Sequence, residues 1–134
     1  MTRTELREYV FQLLFRVEFN EPEEMNLQKE LFFDDDEVSF SDKDKGYIID
    51  KVERIMAVIP QLDEALFTKA EGWNKKRVGK VELTIFRLAV FEILYDDTVP
   101  AGVAINEAVE LAKKYGQENS GGFVNGVLAK FAKE

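Results

Sequence analysis

The chain has 134 residues, enough for one compact domain or two small helical lobes, and its 46% hydrophobic and 33% charged content excludes global disorder. Cysteine and histidine are both absent, which removes disulfides, thiolate nucleophiles, imidazole bases and the two commonest zinc ligands. The formal charge of -8 argues against a nucleic-acid partner until it is located: residues 21–44 hold two basic and ten acidic groups, so the excess is local and a mixed or mildly basic face can exist elsewhere.

The opening MTRTELREYV has no basic region followed by a long apolar run, and no later segment approaches the length of about eighteen apolar residues needed to span a bilayer. A cytoplasmic protein is therefore expected. Leu6, Val10, Leu13, Leu14 and Val17 recur at helical spacing and predict an amphipathic helix from about Thr4 to Phe19, with Thr4 as N-cap. Pro22 separates it from a short helix over Met25 to Phe33, after which Asp34 to Glu37 reads as a self-repelling solvated loop.

Ser41 signals the next helix start, with Asp42 and Asp44 suited to its first turn. Tyr47, Ile48, Val52, Ile55, Met56 and Ile59 give that helix an apolar face until Pro60 interrupts it. A further helix carries Leu62, Leu66 and Phe67 and should end near Gly72. Trp73 is either a packing residue or a stacking platform, and the cluster Lys75, Lys76, Arg77 and Lys80 is either a pair of solvated helix ends or a partner-facing patch.

Val78 to Leu94 is apolar on more than one face, as the central helix of a bundle would be, so Arg87 or Glu92 must reach the rim or find a polar partner. Pro100 can begin the following helix, whose Val103, Ala104, Ala108, Leu111 and Ala112 should pack inward. Glu107, Glu110, Lys113 and Lys114 should project outward, with Glu110 and Lys114 in the favourable i,i+4 order before Gly116. Asn119 or Ser120 caps the last helix, on which Gly126 serves either close helix contact or exposed backbone.

No catalytic constellation emerges. NSGGFVNG lacks the lysine and the preceding strand of a phosphate loop, and Asp34, Asp35, Asp36 and Glu37 lack the spacing of a calcium loop. Glu107 and Glu110 share a helix face without identifying hydrolysis.

The stretch VPAGVAINEAVELAKKYGQENSGGFVNGVLAKFA, the preceding RVGKVELTIFRLAVFEIL and the opening RTELREYVFQLLF together resemble the bacterial NusB transcription antitermination family nearly end to end. The resemblance implies an all-α protein of about seven helices in two packed subdomains, approximately 1–59 and 60–134. It implies no enzyme, cofactor, metal or membrane role. The implied partners are boxA-containing nascent RNA from ribosomal RNA operons, the small-subunit ribosomal protein NusE and the RNA polymerase antitermination complex.

By the same resemblance Arg3, Arg7, Gln12, Phe15, Asn119, Ser120 and Phe123 are the RNA-binding candidates, and Glu82 is the protein-binding one. Their chemistry suits a composite edge of the first and last helices: arginines for phosphates, amides for bases or sugars, exposed rings for stacking. Each phenylalanine can equally be core, and Glu82 can equally be an exposed helix charge. Thr4, Glu5 and Gly122 stand where the family commonly carries basic residues.

The alternative to RNA binding is a helical protein-interaction adaptor without significant intrinsic RNA affinity. A ribosomal RNA methyltransferase, which can carry a similar helical domain, is not expected without a cysteine or a further domain. Apolar helical surface leaves a homodimer open.

Overall fold

Capping and proline placement divide this chain into seven α-helices among the described residues, which are 1–34, 37–70 and 78–132 of a computed structural model. They are α1 (Arg3–Phe15), α2 (Met25–Phe32), α3 (Asp42–Ala57), α4 (Ile59–Lys69), α5 (Lys80–Tyr95), α6 (Ala101–Tyr115) and α7 (Ser120–Ala132). No strand occurs among the described residues, so the fold is all-α. The helices form two compact units, Met1–Ala57 and Val58–Glu134.

In the first unit, α1 packs against α3 and α2. Its N-cap is Thr2, not Thr4: the Thr2 hydroxyl accepts from the Glu5 N–H at 3.1 Å while the Glu5 carboxylate accepts from the Thr2 N–H at 3.0 Å. Glu5 stands three residues after Thr2, which completes the reciprocal box that Thr4 lacks. The helix also tightens after Phe15 into a 3-10 turn over Arg16–Phe19 instead of continuing as α-helix.

Val10, Phe11, Leu13 and Leu14 of α1, Met25 and Phe32 of α2, and Ile48, Val52 and Ile55 of α3 are buried as the core of this unit. Phe32 and Phe40 meet Tyr9, and Phe33 meets both of those phenylalanines, in an aromatic cluster with Tyr9 edge-on to Phe40 at 4.9 Å. The Ser41 hydroxyl accepts from the Asp44 N–H at 3.1 Å at the start of α3, as its sequence signal predicts. Lys29 of α2 and Glu53 of α3 pair at 2.7 Å.

In the second unit, α5 is the central element and packs on α4, α6 and α7. Every residue from Leu83 to Glu92 is buried. Pro60 does not end a helix: α3 already stops at Ala57, and Pro60 lies in the first turn of α4, where its missing N–H has no partner to lose. The expected helix end at Gly72 and the residues Trp73, Lys75, Lys76 and Arg77 lie outside the described residues.

Arg87 and Glu92, in the middle of α5, are both buried. Arg87 holds Asp63 of α4 through two parallel bonds, Nε to Oδ1 at 2.9 Å and an η-nitrogen to Oδ2 at 2.8 Å. Glu92 is also engaged, and among the described residues no buried side-chain nitrogen or oxygen lacks a hydrogen-bond partner. On α6 the expectation for Val103 fails, because the residue is 44% exposed, and Glu110 meets Lys113 at 3.4 Å rather than Lys114.

Of the two roles open to Gly126, close helix contact is the one the structure does not support. A Cβ there would touch nothing within 4 Å, whereas a Cβ on Gly116 would come within 2.7 Å of the Ala112 carbonyl oxygen and 2.6 Å of the Ser120 hydroxyl. Gly116 is thus the position where the turn from α6 to α7 has no room for a side chain.

Candidate nucleic-acid interface

On the first unit, Arg3 is exposed in the opening turn of α1. A cation there opposes the helix dipole, so helix stability does not account for it. Arg7, one turn later, is only 6% exposed and already engaged, a placement unlike that of a side chain reaching for phosphate. Gln12 is half-buried and engaged in interactions of its own.

Phe15 is half-buried in a row of rings, stacked with Phe11 at 6.2 Å and edge-on to Phe19 at 5.1 Å. Phe19, at 61%, is the more exposed end of that row. The sequence reading passed over it, although the spacing 11, 15, 19 carries the signal of one face.

On the second unit, a cavity of about 300 Å³ is lined by Val78, Gly79, Glu82, Gln117, Asn119, Ser120 and Phe123. Phe123 is 40% exposed and rests edge-on against the buried Phe86 ring at 5.7 Å. One side of the ring packs, and part of it is exposed to solvent. Asn119 is exposed, and its carbonyl accepts from the Phe123 N–H at 3.3 Å at the start of α7.

Ser120 differs from Asn119 and Phe123. It is buried, its hydroxyl accepts from the Gln117 N–H at 2.8 Å, and it donates to Glu82 Oε1 at 2.9 Å. The hydroxyl therefore faces inward and supports the turn. Glu82, named from the sequence as a protein contact, lines the same cavity as the RNA candidates Asn119, Ser120 and Phe123.

Residues 4–133 match the NusB family. The chain belongs to the NusB family. A transcription antitermination protein NusB from Agathobacter rectalis is 50% identical over 132 residues, 98% of this chain and 100% of its own length. The solved NusB of T. maritima superimposes with a TM-score of 0.88 at 35% identity, over 100% of this chain and 92% of that one. A crystal structure of the antitermination factors NusB and NusE with dsRNA contains a chain matching at TM-score 0.80 and 28% identity, covering 99% of this chain and 98% of its own.

Against the NusB pattern, the sequence-named residues separate by environment. Arg3, Asn119 and Phe123 are exposed; Gln12, Phe15 and Glu82 are half-buried; Arg7 and Ser120 are buried. Gln117 and Gly79 also line the cavity; Gln117 takes part through its backbone N–H, which leaves no residue-type signature in the sequence. Lys80, Lys113 and Lys114 are exposed cations on the same unit. Among the described residues no group of three or more acidic side chains could hold a metal ion, and no helix is long and apolar enough to cross a membrane.

Proposed function

We propose that this chain is an RNA-binding transcription antitermination factor of the cytoplasm that recognises boxA-like RNA of ribosomal RNA operons together with NusE and joins the RNA polymerase antitermination complex. The observation that carries this reading is the match over 99% of the chain to a relative solved with NusE and dsRNA. The surface chemistry is consistent with it: Asn119 offers an amide to a base or sugar, Phe123 offers a partly exposed ring, and Arg3 offers a cation to phosphate. Binding and orientation, rather than catalysis, are what these groups can supply.

Anisotropy titration at defined salt, with and without NusE, tests the reading. Preference for boxA over a scrambled strand, strengthened by NusE, is the expected result. Equal binding of both strands under both conditions rejects sequence-specific recognition.

A second reading is favoured by the net charge of -8 and by the burial of Arg7, which leave few cations for phosphate. In it the chain is a protein-interaction adaptor without significant RNA affinity of its own. A complex with NusE that gains nothing from RNA selects that reading.

A further inference from the structure

A carboxylate beside an RNA-facing cavity repels phosphate, so Glu82 needs a role that outweighs this cost. Its geometry supplies one. Ser120 Oγ donates to Glu82 Oε1 at 2.9 Å and accepts from the Gln117 N–H at 2.8 Å, while the Ser120 N–H donates to the Gln117 carbonyl at 3.0 Å. The turn from Gln117 to Ser120 is thus closed twice, and its side-chain closure is anchored from α5 by a charge-assisted bond, the stronger kind.

Two glycines make room for this pair. A Cβ on Gly116 would lie 2.6 Å from the Ser120 hydroxyl, and one on Gly79 would collide with Glu82 Oε2. Ser120 is 4% exposed, so its hydroxyl is withdrawn from direct contact with a ligand, while Asn119, the residue before it, is exposed.

We infer that Glu82 is a positioning residue for RNA recognition: through Ser120 it holds the Gln117–Ser120 turn in the shape that presents the Asn119 amide and the Phe123 ring to an unpaired base. This rests on the RNA-binding reading above. Glu82 acts within the chain, through the carboxylate oxygen bonded to Ser120.

The test uses the full chain without NusE, comparing boxA with scrambled RNA by anisotropy and following Gln117 amide exchange by NMR. E82A and S120A each reduce boxA preference about tenfold, the factor of one well-made hydrogen bond to a charged group, and each exposes the Gln117 amide to exchange. The double variant loses no more than either single one, because both remove the same link. E82Q keeps an acceptor oxygen and retains most of the preference. G79A, whose backbone at φ -68° and ψ 151° suits alanine, displaces the carboxylate and reproduces the E82A loss.

Full boxA preference in folded E82A and S120A overturns the positioning role and leaves the RNA-binding reading intact. A wild-type chain with no boxA preference, alone and again with NusE added, overturns both. Protection of Gln117 that survives E82A overturns the inference whatever happens to RNA binding.

Discussion

Thr2 and Glu5 show how one residue of register decides a helix end. The Thr2 hydroxyl and the Glu5 carboxylate each take the other's backbone N–H, and T2A should cost about 1 kcal/mol of unit stability in denaturant titration. The bond from the Thr2 N–H, and after it a bond donated by the Thr2 hydroxyl to the carboxylate, hold the exposed Glu5 carboxyl below the usual carboxylate range. A lowered folded-state value means the carboxylate's contribution is complete above the ordinary value of 4.5 and is lost as pH falls through the folded one. The stability difference between wild type and E5Q should therefore vanish on acidification, and a difference that persists at low pH would exclude the charged cap. At Phe123 one side packs on Phe86 while the ring stays partly exposed, so F123L should keep the fold and weaken RNA binding. The expected loss is about tenfold, within the range of one base–aromatic stack, and unchanged affinity would assign the ring to packing alone.

Between helices α4 and α5, the buried Arg87 and the half-buried Asp63 fasten the unit through a two-pronged bond. Removing one partner strands a buried charge, so D63A should lose about 3–5 kcal/mol by denaturant titration, whereas replacing both residues with apolar ones of similar volume should lose far less. Equal losses for the single and double replacements would show that the pair itself, and not an orphaned guanidinium, sets the stability. The helices were legible because apolar spacing, Ser41 and Pro100 are local signals. What sequence could not show was decided by neighbours: Val103 fits an inward face by spacing yet is exposed, and Gly126 looks like a packing glycine yet faces open space. The crowded glycine is Gly116, whose constraint comes from Ser120 folding back across the turn. Likewise, Asn119 and Phe123 were readable as candidates, but the inward aim of Ser120 and its bond to Glu82 depend on a residue 38 positions away.

For the molecule as a whole, charge sets a limit on how RNA can be held. The net charge of -8 disfavours a polyanion at long range, and the concentration of acidic groups in residues 21–44 confines most of that penalty to one part of the chain. Of the two arginines named from the first helix, only Arg3 is exposed; Arg7 is buried and engaged. The two should separate experimentally, although sequence alone places both in one phosphate-binding set. Because each phosphate neutralised by a protein cation releases bound counterions, the salt dependence counts contacts: R3A should flatten the log–log slope by about 0.7, the value for one contact to a single strand. R7A should leave that slope nearly unchanged and instead lower the stability of the first unit, since it removes a buried, partnered side chain. Anisotropy titrations across a salt series, paired with denaturant unfolding of each variant, separate the two effects. A folded R7A protein with a flattened slope and undiminished stability would return Arg7 to the phosphate-binding set, and an R3A protein with the wild-type slope would remove Arg3 from it.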